Sequence, residues 1–91
     1  MRFTWDERKR VANLRKHGID FAHAATIFRG FTLTAEDVRD SYGEQRFLTL
    51  GMVDRQVVSV THTESTEAIR IISIRKATRH ETNYYFSQIP D

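Results

Sequence analysis

The chain lacks cysteine entirely, holds one proline in 91 residues, and has no apolar run near the ~20 residues that cross a bilayer. Without thiols there is no disulfide scaffold, no thiolate zinc finger and no cysteine nucleophile. The proline is Pro90, near the C-terminus. Residues Met1 to Asp6 lack the apolar core of a signal segment. Repeats, low-complexity stretches and linkers are missing too. The four histidines have no metal-site spacing, so no metal and no cofactor is expected. What remains is 40% hydrophobic and 11% aromatic, enough for one compact core. A chain of this length buries only roughly 60–65% of its unfolded surface, so that core is thin. The expectation is a soluble, intracellular protein with one domain over residues 1–91.

The net charge of +2 conceals an asymmetry. Residues 1–18 carry six bases and two acids, residues 19–67 four bases and eight acids, and residues 68–91 four bases and two acids. From Ala68 to His80 there are four bases and no acid. Arginine outnumbers lysine 11 to 3, and its planar fork suits bidentate contact with phosphate. Two basic ends that fold together would make one anion-attracting face.

Periodicity divides the chain. Residues 5–17 read as a helix, opened by Thr4 and Glu7 at capping-box spacing or by Asp6, with Arg15, Lys16 and His17 at the negative end of the dipole and Gly18 closing it. Asp20 starts a second helix whose stripe is Phe21, Ala24, Ala25 and Phe28, with Ile19 stapled to Ala24, and Gly30 ends it. The period then becomes two. Phe31, Leu33 and Ala35 alternate with threonines, and residues 36–43 form a polar turn. Gln45–Leu50 and Val57–His62 read as strands joined by a turn at 51–55. After a polar turn at 63–67, Ile69–Ile74 is β-branched on both faces, as a covered central strand would be. Thr78 and Glu81 form a capping box for a short helix through Tyr85. The sum is α+β: two N-terminal helices, a mainly antiparallel sheet of three or four strands and a short C-terminal helix.

Several blocks resemble one family. Trp5-Asp6-Glu7, Lys9, Asn13, Lys16 through Phe21, Ala24 and Ile27-Phe28 are similar to the opening of the BrnT toxins. Gly43-Glu44-Gln45-Arg46 resembles that family's Gly-Glu-x-Arg block, and Arg70 through Ala77 its signature strand, followed by Glu81 and Tyr84 or Tyr85. The resemblance spans residues 3–85. It departs at Ile74, where alanine is usual, and at Thr82, where an arginine commonly follows the helix glutamate. It implies a RelE-like ribonuclease toxin of a type II toxin–antitoxin pair that acts on RNA, is neutralised by a BrnA antitoxin, and joins a complex that binds promoter DNA through the antitoxin. No membrane partner is implied. The alternative is a catalytically inactive nucleic-acid- or protein-binding module of the same fold.

Cleaving RNA without a metal takes a base for the 2′-OH, a cation for the phosphorane and an acid for the leaving oxygen. Arg75, at the exit of the expected central strand near Lys76 and Arg79, is the preferred cation, with Arg79 as helper. Arg70 lies five residues earlier, hence on the opposite face if the strand is regular. Either arginine could instead hold Glu44 or another carboxylate. Glu44, which shares a strand face with Arg46, is a candidate base or an orienting group. Ser73 is expected to bond within the fold. His62 and His80 are candidate acids or bases; His17 is assigned to a helix end and His23 to the surface. Tyr84 and Tyr85 offer base stacking or a proton donor. The RNA-contacting set is Arg46, Lys76, Arg79 and Tyr85. Trp5 and Phe21 are assigned to packing.

Overall fold

The computed structural model describes residues 1–90. In chain order its elements are β1 (Arg2–Trp5), α1 (Glu7–His17), a 3-10 turn (Phe21–His23), α2 (Ala24–Arg29), β2 (Leu33–Asp37), β3 (Arg46–Val53), β4 (Gln56–Glu64), β5 (Ala68–Lys76) and α3 (Arg79–Ser87).

Short polar side chains set the helix starts. Asp6 caps α1, its carboxylate accepting from the amides of Arg8 and Lys9 at 2.8 and 3.3 Å. Thr4 does not complete the expected capping box because it lies in β1. Gly18 ends α1 with φ of 73°, a conformation that glycine adopts without a Cβ clash, and its amide donates to Leu14 O at 2.8 Å. Asp20 caps the next segment through the Ala22 amide, but the chain makes a 3-10 turn before α2 begins. The capping box at α3 forms fully, with Thr78 and Glu81 each bonding the other's backbone amide.

The strands form one sheet in the order β1-β5-β4-β3-β2. The three junctions among β2 to β5 are antiparallel, and β1 runs parallel to β5. Five strands therefore replace the expected three or four, and a strand precedes the helices. Residues 2–5 alternate polar and apolar, and Phe3 and Trp5 pack against the core. The middle strand is β4, not β5. Its run Val57–Val60 is buried on both faces. The β3–β4 hairpin also turns later than expected, at Asp54 and Arg55, both at positive φ, which leaves Gly51 inside β3. A Cβ at Gly51 would come within 2.7 Å of Ile27 Cγ2, so glycine lets α2 rest directly on the sheet.

The helices α1 and α2 with the 3-10 turn cover one sheet face. Ile19, Phe21, Ala24, Ile27, Val58, Val60, Ile69, Ile71 and Ile74 pack there, flanked by Phe3, Trp5 and Phe28. Asn13 fastens α1 to β5. Its side chain donates to Ile74 O at 2.9 Å and Ile19 O at 3.0 Å and accepts from Ile74 N at 3.1 Å. β1 pairs with β5 only as far as Ile71, so the Asn13 amide takes the place of a neighbouring strand beyond it. On the other face α3 covers only one end. Tyr85 packs there with Val57, Ala77, Leu33, Leu50 and Met52. No helix among the described residues is long and apolar enough to cross a membrane.

Candidate active site

The half of the second face that α3 leaves open is organised by an irregularity in β5. Val60 pairs with Ile74, Thr61 with Ser73, and His62 with Ile71, so Ile72 is an extra residue on β5. An odd insertion reverses the alternation of side chains. Ser59 opposes Arg75 and Thr63 opposes Arg70; four residues apart on β4, these two partners share a face. Arg70, Ser73 and Arg75 therefore lie on one side of the sheet. The expectation of opposite faces holds only for a regular strand, and this strand is bulged. The apolar residues Ile69, Ile71 and Ile74 turn to the helix-covered side.

Both arginines hold carboxylates. Arg75 is bidentate to Glu81, with Nη1 to Oε1 at 2.8 Å and Nη2 to Oε2 at 3.0 Å. That pairing, aided by the Thr78 amide, takes the Glu81 carboxyl down to about 2 and raises Arg75, although burial and the charge of Arg39 oppose the latter. Arg70 Nη2 donates to both oxygens of Glu44, at 2.8 and 3.0 Å. Each pair is partly exposed.

A third group stands at the end of β2. Asp37 is buried and accepts from Arg39 Nε and Nη2 at 2.8 and 2.9 Å and from the Tyr42 hydroxyl at 3.1 Å. Arg39 holds its carboxyl well below the ordinary range. Arg46, paired with Asp37 across the ladder, lies 4.3 Å from the centre of the Tyr42 ring. Sequence reasoning left Arg39 inside a polar turn. The signal for it was the spacing Asp37-x-Arg39, which suits a side chain folding back on the Asp at a strand end.

The remaining candidates separate. Tyr84 is 51% exposed on α3 and stands beside Glu81 at a cavity on this face. Arg79 and His80 are exposed in the first turn of α3, and Lys76 is exposed at the end of β5. Tyr85 corrects its expected role in RNA contact: it is 2% exposed and its hydroxyl donates to Phe31 O at 2.7 Å. His62 corrects its expected role as acid or base. It is fully buried on the helix-covered face, stacked on Phe47 with Phe28 edge-on, and its Nε2 shares a 2.7 Å hydrogen bond with Thr49 Oγ1. Burial takes its pKa down to about 4, only partly offset by the Thr63 backbone, so the ring is neutral near pH 7. The 3.7 Å approach of Glu64 to Nδ1 is then not an ion pair.

The open face thus presents several arginines, two accessible carboxylates and an exposed phenol. Guanidinium forks bind phosphate oxygens, carboxylates take protons and a phenol gives one. Among the described residues no three histidines or carboxylates gather into a metal-binding group. No curated protein matches the sequence. The family model for BrnT, the ribonuclease toxin of type II toxin–antitoxin systems, matches residues 5–81, and the chain belongs to that family.

Proposed function

We propose that the open sheet face is the RNA-cleaving surface of a metal-independent endoribonuclease of RelE-like fold. The observation that carries this reading is the bulge at Ile72, which turns Arg70 and Arg75 to one partly exposed face, Arg70 bonded to Glu44 and Arg75 to Glu81, beside Tyr84 at a cavity. Partly exposed ion pairs contribute only about 0–1 kcal/mol. Different phosphates of one RNA strand can therefore displace Glu81 from Arg75 and Glu44 from Arg70 and take their hydrogen bonds.

The chemistry then follows from proton bookkeeping alone. Glu44, released from Arg70, accepts the 2′-OH proton. The 2′-oxygen bonds to phosphorus, Arg75 stabilises the charged phosphorane while Arg70 holds the strand at another phosphate, and the bond to the 5′-oxygen breaks. The Tyr84 hydroxyl protonates that oxygen, leaving a 2′,3′-cyclic phosphate and a 5′-OH; His80, exposed on the same helix, is the alternative donor. Arg46, Arg79 and Lys76 hold flanking phosphates. In the cell this activity inhibits translation and growth in the cytoplasm. A BrnA-type antitoxin neutralises it and carries the pair to promoter DNA.

The test is incubation of the purified, antitoxin-free protein with RNA in EDTA. Cleavage is expected, and Arg75→Ala should lower kcat by about 10²-fold or more while its thermal melt stays close to the wild type. Full activity in Arg75→Ala would remove the assignment of that residue. Tight RNA binding by the wild type without scission, with or without magnesium, would instead establish an inactive binding module.

A further inference from the structure

A cavity of about 250 Å³ opens beside the arginines, between α3 and strands β2 to β4. It shares Glu81 and Tyr84 with the proposed site, and the rest of it takes no part in the phosphate chemistry. Its walls are largely apolar, supplied by Leu33, Leu48 and Leu50, with Glu81 and the exposed ring of Tyr84 on the α3 side and Thr34 and Ala35 at the sheet edge. One of its polar side chains is fully buried. Ser59 is 1% exposed, and its Oγ has no hydrogen-bond partner among the described residues. A buried hydroxyl without a partner is costly and rare in folded proteins, and Ser59 lines the cavity, so a rotation about its χ1 lets a ligand edge complete its Oγ.

Position narrows the ligand. Ser59 lies directly across the β4–β5 ladder from Arg75, and Arg75 grips Glu81 on the cavity rim. An anion-binding fork and a largely apolar slot with a buried hydroxyl are therefore neighbours, as phosphate and base are neighbours in a nucleotide. The slot has the volume of about eight water molecules, which suits one planar heterocycle. Leucine walls and a tyrosine ring match the faces of such a ring, and the serine hydroxyl matches its hydrogen-bonding edge.

We propose that this cavity receives one unpaired nucleobase of the RNA strand and sets the preference at one nucleotide beside the cleaved phosphate. The proposal rests on the ribonuclease reading above. It differs from an apolar side chain of a partner protein docking there, which would leave the Ser59 hydroxyl unpartnered.

The probes are short 2′-O-methyl oligoribonucleotides, which bind but offer no 2′-OH for attack, with each base or an abasic unit at one position. In fluorescence anisotropy with the wild-type protein, removing the base at one position should weaken binding about tenfold, the scale of one stacked base. Ala35→Leu, which fills the slot from an exposed edge position, should reduce that loss to less than about twofold. Ser59→Ala should narrow the spread among the four bases, and Arg75→Ala should weaken all probes alike. Equal binding of base-bearing and abasic probes by a protein that cuts ordinary RNA would overturn the pocket and leave the ribonuclease reading intact. Absence of both binding and cutting would overturn both. Unchanged base dependence in Ala35→Leu, with loss of antitoxin binding, would overturn the proposal and assign the slot to a protein side chain.

Discussion

The two faces of the sheet divide the work of the molecule. On the helix-covered face Phe21, Ile27, Ile71 and Ile74 are fully buried, and the polar groups among them, Asn13, Thr49 and the Nε2 of His62, bond inward to the protein. On the other face, past the end of α3, the charged groups stand in partly exposed pairs that water and ligands reach. Strand β5 supplies both surfaces, isoleucines to one and arginines to the other, and the extra residue Ile72 makes this division possible. With the cleavage proposed for the open face, stability and chemistry are separable by side. Substitutions behind the sheet should unfold the protein without altering the activity of molecules that remain folded, and those on the open face should do the reverse.

The largest effect belongs to Phe21→Ala. The ring is fully buried, edge-on to Trp5, and part of a core that a small domain cannot easily replace. A loss of about 3–5 kcal/mol is expected, a large share of the total stability of such a domain. Urea denaturation measures it, and cleavage per folded molecule should match the wild type.

His62 makes the buried face sensitive to acid. Its folded pKa lies near 4 against 6.5 for the free side chain. Between these values the unfolded chain binds a proton that the folded chain does not. Stability from this group is thus complete above pH 6.5, falls as pH drops towards 4, and changes no further below. The full shift corresponds to about 3 kcal/mol. Glu81, held low by Arg75, adds its own loss only below its ordinary value of 4.5. Urea midpoints followed from neutral pH to about pH 4 should show the slope. His62→Gln, which keeps a partner for Thr49 and does not ionise, should flatten it; an unchanged slope would place the sensitivity elsewhere.

Arg75→Ala probes the opposite face. The rate loss of about 10²-fold amounts to roughly 2.7 kcal/mol in the transition state, whereas its stability cost should stay below that of Phe21→Ala because the Glu81 pair is partly exposed. A stability loss as large as that of Phe21→Ala would erase the distinction between the faces.

The parts of this arrangement readable from sequence were those set by near neighbours. Asp20, Gly18 and the Thr78–Glu81 box mark helix ends because caps involve residues only a few positions apart. The stripe Phe21, Ala24, Phe28 shows the buried side of the second helical segment, although Ala25, read into the same stripe, is exposed. What escaped depends on distant pairing. β1 has four residues and exists because β5 lies alongside it. The bulge follows from the register of β5 on β4, and nothing in Ile71-Ile72-Ser73 announces it. Without the bulge Arg70 and Arg75 separate, so their shared face was hidden in the sequence. His62 likewise reads as a polar strand end until Phe28 and Phe47 close over it.

The smallest effect tests the seam between the two faces. Glu81 accepts the Thr78 amide and the Arg75 guanidinium through the same Oε1, so one carboxylate serves helix α3 and the arginine of the open face together. Thr78→Ala removes the hydroxyl that accepts from the Glu81 amide but leaves the Thr78 backbone amide in place. A loss of about 1 kcal/mol is expected, as for other caps. Because the Arg75–Glu81 pair survives, kcat should change by less than about threefold, well under 1 kcal/mol in the barrier. Urea midpoints and cleavage rates on the same preparation decide the matter. A rate loss approaching that of Arg75→Ala would mean that the cap, through Glu81, positions the arginine for chemistry, and that the seam belongs to the open face.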